Sequence, residues 1–164
     1  MRKTFASIDD ALFECVFQPF SDLLTDRIGI GRGTAACIGI DCASLAWIAS
    51  RVPGLSGAVI QWDATAAFLD LLLLLLGLIA LVSLRTMFRR ARGKQGNPLR
   101  LVMQPHRAVV LLMLVADLVQ LQAPGLTDAT DLAMLLCATA ALYLGACTER
   151  PPVRRASPAF GPAA

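Results

Sequence analysis

Hydrophobic positions along this chain fall in long blocks separated by short polar breaks. The strongest block runs from Ala64 to Leu84 and contains six consecutive leucines, Leu71 to Leu76. Phe68, Leu69, Leu78, Ile79, Leu81, Val82 and Leu84 stand around them. A helix needs about 20 apolar residues to cross the hydrocarbon of a bilayer. On an insertion scale each large apolar residue contributes about −0.5 kcal/mol, and one Asp costs about +3 kcal/mol. Thirteen large apolar residues therefore outweigh the single Asp70, and the block is expected to insert.

Three further blocks are weaker. Residues 34–50 carry Ile38, Ile40, Leu45, Trp47 and Ile48, which barely offset Asp41. Arg51, Pro53 and Gly54 read as the end of that block, and residues 51–63 as a loop. The third block, 108–123, holds an apolar run from Val109 to Val115 and stops at the turn pair Pro124-Gly125. The fourth covers 131–147. The pattern predicts an all-α integral membrane bundle of four transmembrane helices, with spans at about 34–50, 64–84, 108–123 and 131–147.

Residues 1–33 precede the spans. Phe5, Ile8, Leu12, Val16, Leu23 and Leu24 recur at roughly helical spacing and predict an N-terminal amphipathic helix. Ser7 is its expected cap, with Asp10 three residues on, and Pro19 its expected end or kink. The polar face carries Asp9, Asp10 and Glu14, the wrong sign for an anionic leaflet. This helix is expected to pack on the chain's own spans, with docking to a partner as the alternative. Gly29-Ile30-Gly31-Arg32-Gly33 reads as a hinge, since it matches neither a Walker A nor a Rossmann spacing. Arg2 and Lys3 are followed by acids and not by an apolar stretch, so no signal peptide is expected.

Charge orients the spans. Arg85, Arg89, Arg90, Arg92, Lys94, Arg100 and Arg107 follow the leucine block with no acid among them. This stop-transfer pattern places the loop 85–107 in the cytosol, with its arginines on lipid headgroups. Arg150, Arg154 and Arg155 follow the last block and belong on the same side. Both termini are therefore expected in the cytosol, with 34–149 as the transmembrane domain and 150–164 as a disordered tail. The loops need these charges for topology, so nucleic acid is not expected as a partner. The 164 residues are 56% hydrophobic, above the 45–50% of ordinary soluble domains. Thirteen of the fifteen basic residues are Arg, a bias that suggests a bacterial gene and hence an inner (plasma) membrane.

Candidate chemistry is sparse. Asp41, Asp70 and Asp117 lie in three different spans, and span-end counting puts them at similar depth. Intramembrane acids are candidates for proton relay or cation binding. No Lys or Arg is expected at their depth, with Arg51 the nearest by sequence. The fourth span repeats small residues every four positions, Ala129, Ala133, Cys137, Ala141 and Gly145. Such a stripe is a helix-packing face, expected to meet another helix of this chain. The five cysteines form no disulfide or metal spacing, since Cys37 and Cys42 are five apart and no CxxC occurs. His106 is the lone histidine, and no nucleophile–base pair accompanies it. No catalytic residue, metal or cofactor is expected. The best-supported function is a small non-catalytic accessory or assembly subunit of a larger membrane complex, partnered by the lipid bilayer and by another membrane protein or a second copy. The alternative is an ion- or proton-coupled transporter or channel component using the three acids.

Overall fold

A computed structural model describes residues 2–91, 99–120 and 126–148. The turn at Pro124-Gly125, the positions Arg92 and Lys94, and the tail 150–164 lie outside the described residues. Regular structure among the described residues is helical throughout.

The N-terminal segment comprises α1 (Arg2–Leu12), a π-helical turn (Phe13–Phe17), α2 (Gln18–Leu23) and a second π-helical turn (Leu24–Ile28). Ser7 lies inside α1 and does not start it. Pro19 does not end the helix, because it falls in the first turn of α2 directly after a widened turn. There its missing N–H leaves less of the ladder broken. Gly29 stops the segment with φ 73°, a left-handed conformation that glycine adopts without a Cβ penalty. Gly29 N and Ile30 N donate back to Thr25 O and Leu24 O, each at 3.2 Å. The expected hinge is thus a sharp three-residue turn, and Gly31 caps the next helix in an extended conformation.

That helix, α3 (Arg32–Ile60), runs ten residues past Ser50 and absorbs the expected loop, with Pro53 inside it. Pro53 removes one backbone bond, but the later turns of α3 still lie along its neighbour, with Gly54 against Asp70. After a turn with Trp62 at φ 57°, Asp63 caps α4 (Ala64–Ala91) by accepting from Thr65 N at 3.1 Å and Ala66 N at 3.0 Å. A short α5 (Leu99–Val102), α6 (Gln104–Gln120) and α7 (Leu126–Ala146) complete the bundle.

Small residues set how close the helices come. The α3–α4 hairpin is antiparallel, with Asp41 beside Arg85, Trp47 against Gly77 and Gly54 against Asp70. A Cβ at Gly77 would lie 2.2 Å from Trp47 Nε1, so only glycine leaves room for that ring. The α3–α7 pair is also antiparallel. Arg32 Nη1 donates to Cys147 O at one end, and a Cβ on Gly39 would sit 3.0 Å from Ala141 Cβ. Phe88 of α4 rests on Gly145 of α7, so the C-terminal ends of these two helices meet. α6 packs along α7, giving the spatial order α4–α3–α7–α6. The core gathers toward the end where α3 begins and α4 and α7 finish, around Ala36, Ile40, Phe88, Met103, Ala141 and Leu142.

Among the described residues three helices are long and apolar enough to cross a membrane: Arg32–Ile60, Ala64–Arg90 and Ala129–Ala146. Only 6% of the most apolar stretch of α4 is buried within the chain, and Phe68, Leu69, Leu72, Leu75, Leu76 and Ile79 face outward. An apolar surface of this extent suits lipid and not water.

Candidate functional site: a buried acid–arginine–tyrosine cluster

The end of the bundle where α4 and α7 finish is covered by the N-terminal segment. Its inner face repeats every four residues: Asp9, Phe13, Phe17 and Ser21. A four-residue repeat lags behind a 3.6-residue helical turn, and the wider turn at Phe13–Phe17 takes up that lag. Asp9, Phe13 and Ser21 are consequently buried together. At the start of α6 a second four-residue row, Leu99, Met103 and Arg107, is also buried.

The two rows meet at Tyr143 of α7. Asp9, Arg107 and Tyr143 are 2%, 2% and 0% exposed. Arg107 grips the carboxylate with two prongs: Nε donates to Asp9 Oδ1 at 3.1 Å and Nη2 to Oδ2 at 2.7 Å. Tyr143 Oη donates to Oδ1 at 2.8 Å. The remaining Arg107 Nη1 donates to Arg100 O at 3.0 Å. Aromatic rings enclose the group, with Phe17 stacked on Tyr143 at 4.5 Å and the guanidinium carbon of Arg107 5.3 Å from the Tyr143 ring centre. Burial pushes the Asp9 carboxyl upward. The hydrogen bonds from Arg107 and Tyr143 and the charges of Arg107 and Arg100 outweigh it, holding Asp9 below the ordinary carboxylate value.

Peripheral contacts extend the clasp. Arg100 pairs with Asp10 at 3.2 Å and lies over the Phe13 ring at 4.6 Å. Gln18 donates to Thr148 O at 2.9 Å and accepts from Thr148 N at 3.2 Å. Every polar atom at the centre is engaged, and the arrangement does one thing well: it fastens the N-terminal segment to α6 and α7.

The residues singled out from sequence are distributed differently from expectation. Arg107 is drawn off the headgroup-facing surface into this cluster, because Asp9 offers it a charge and Phe13 and Tyr143 each offer a ring face. Arg85 pairs with Asp41, its Nη2 donating to Oδ2 at 3.0 Å and its Nε 2.8 Å from Oδ1. Arg89 and Arg90 are exposed at the end of α4, and Arg100 is half-buried. Asp41 and Asp70 are not brought together. Asp41 lies by Arg85, and Asp70 faces Gly54 thirteen residues further along α3, about 20 Å away along the axis. The ten extra residues of α3 are the cause, since they move Asp41 away from the helix end from which depth was counted. Asp117 sits half-buried on α6. Of the small-residue stripe, Ala141 and Gly145 are buried against Gly39 and Phe88, Cys137 is half-buried, and Ala133 is exposed.

Sequence reasoning passed over the clasp itself. Its signal was a charge standing in register with large apolar residues: Asp9 four before Phe13, and Arg107 four after Met103. Among the described residues no three His, Cys, Asp or Glu side chains gather to hold a metal ion. The site and the bundle together define a protein that is helical throughout its described residues, with three helices among them able to cross a membrane. Comparison with family models, curated proteins and solved structures finds no match.

Proposed function

We propose that this chain is a non-catalytic accessory or assembly subunit of a larger complex, crossing a bacterial inner membrane four times with both termini in the cytosol. The observation that carries this reading is the outer surface of α4. Only 6% of the most apolar stretch of this long, leucine-rich helix is buried within its own chain, and that leaves its outer face open to lipid and to a neighbouring helix alike. In a bilayer, close packing and polar contacts decide which of the two it meets.

The bundle ends support the topology. α4 and α7 finish side by side, and α6, which packs along α7, is the segment that returns the chain between them in this reading. Arg85, Arg89, Arg90, Arg100 and Arg107 gather at that same end, which the positive-inside rule assigns to the cytosol. The N-terminal segment is clasped there too. A transporter or channel component built on Asp41, Asp70 and Asp117 has less support, because two of the acids are about 20 Å apart and Asp41 already carries a counter-ion.

The test is purification in mild detergent after photo-crosslinking from Leu72 and Leu75 on α4. The expected result is a defined second chain that co-elutes and crosslinks at both positions. A monodisperse lone protein with no crosslinked species refutes the proposal.

A further inference from the structure

The α3–α4 seam contains a charge that the clasp does not use. The contacts Trp47–Gly77 and Gly54–Asp70 fix the register of the hairpin and bring Arg51 level with Leu73. Leu73 is nine residues from Ala64 and eleven from Leu84, about 14 Å and about 16 Å along the axis. Arg51 therefore stands near the middle of the apolar thickness, and not at the outer end of the first span as its place in the sequence suggested.

Its side chain does not reach for the nearer interface. The guanidinium carbon lies 4.2 Å from the centre of the Trp47 ring, one turn back toward the start of α3. Trp47 is itself held, donating from Nε1 to Leu74 O at 3.3 Å with its ring seated on Gly77. Arg51 Nε is buried without a hydrogen-bond partner. Among the described residues no carboxylate forms an ion pair with Arg51. Asp70 lies in the opposite direction, against Gly54. A ring face is a weaker counter-charge than a carboxylate, and an arginine at this depth is expected to face a partner group.

We infer that Arg51 is the docking cation for a partner transmembrane helix that carries a carboxylate near its own midpoint. The partner lies in the valley between α3 and α4, where Val52 and Leu73 are exposed on either side of the half-buried Arg51. Charge complementarity selects this occupant: lipid phosphates lie about 15 Å away, and the guanidinium leans from the nearer set. The inference rests on the reading of the chain as a subunit of a membrane complex and names the chemistry of its partner.

The experiment reconstitutes the chain in lipid vesicles at pH 8 with a synthetic Leu/Ala transmembrane peptide of about 22 residues, bearing one central Glu, Leu or Lys. Association is read by energy transfer between labels. The Glu peptide should bind the unaltered chain roughly 5- to 30-fold more tightly than the Leu peptide. Arg51→Leu should erase that preference, and Arg51→Glu should reverse it in favour of the Lys peptide, a gain that misfolding cannot mimic. Equal binding of the Glu and Leu peptides, or a Glu preference that survives in the Arg51→Leu chain, overturns the inference. Indifference to the peptides in a chain that still co-purifies with a second protein sinks the inference alone. A Glu preference in a chain that always elutes by itself removes the complex and leaves the docking chemistry standing.

Discussion

Replacing Asp9 by Asn isolates the electrostatic part of the clasp. The side chain keeps its shape and can still accept from Tyr143, but the Arg107 guanidinium loses its one carboxylate partner among the described residues while remaining 2% exposed. Breaking a buried ion pair by removing one member costs about 3–5 kcal/mol, because a buried charge is left uncompensated. What else holds the segment is of similar size: burial of Phe13 at about 1.5–3 kcal/mol, the Phe17–Tyr143 stack at about 0.5–1.5 kcal/mol, and two part-buried Gln18–Thr148 hydrogen bonds at about 0.5–1.5 kcal/mol each. Loss of the charge pair should therefore release the segment for a large fraction of the time. Hydrogen exchange in detergent micelles reads this directly at the backbone amides of residues 9–24. Asp9→Asn should lower their protection by about 100-fold or more, with α7 little changed.

Two controls separate charge from packing. Tyr143→Phe removes one hydrogen bond to a charged group, about 1.5–3 kcal/mol, and should loosen the segment less than Asp9→Asn. The double variant Asp9→Leu with Arg107→Met removes both charges and should recover most of the protection, since apolar replacement of a buried pair is often neutral. Unchanged exchange in Asp9→Asn, or a double variant as loose as the single one, would show that the aromatic contacts alone fasten the segment.

The remaining predictions concern pH, close packing and the outer ion pair. The folded-state value of Asp9 is depressed, so its stabilisation is complete above the ordinary carboxylate pKa of about 3.9 and is lost as pH falls below it; protection of residues 9–24 should hold at pH 5 and collapse only in stronger acid. Gly77→Ala puts a Cβ 2.2 Å from Trp47 Nε1 and should destabilise the hairpin by about 1–3 kcal/mol in an SDS-unfolding titration. Gly57→Ala, where nothing lies within 4 Å of the new Cβ, should be neutral or stabilising by up to about 1 kcal/mol; a similar loss in both would show that α3 and α4 do not meet as described. Arg85→Gln breaks a pair whose side chains are 39% and 49% exposed, and the same titration should move by no more than about 1 kcal/mol.

The legible part of this fold was its block structure. Six consecutive leucines and the arginines after them specify a long apolar helix with a basic end, whatever surrounds it. The glycine hinge was legible too, because Gly29 and Gly31 have few other uses before a helix. The clasp was harder to see, since Asp9 and Arg107 are 98 positions apart and each has an ordinary surface explanation. Asp9 fits an acidic polar face, and Arg107 fits a stop-transfer cluster. Only their register with Phe13 and Met103 hints that both point inward.

Depth was misjudged for a more general reason. A charge's position across the bilayer is counted from an assumed helix end, so an error in the end moves every charge on that helix together. Arg51-Pro53-Gly54 reads as a stop by local rules, yet one missing backbone bond is a small penalty where the following turns still pack against a neighbour. Extending α3 from Ser50 to Ile60 shifts the helix by about 15 Å. In the proposed topology Asp41 then leaves the interior for Arg85, and Arg51 enters it. The same ten residues that separate Asp41 from Asp70 thus leave Arg51, in the proposed topology, deep, stacked on Trp47 and without an ion-paired carboxylate among the described residues. The charge that most needs a partner within the apolar layer is positive, and the group that should satisfy it is a carboxylate from outside this chain.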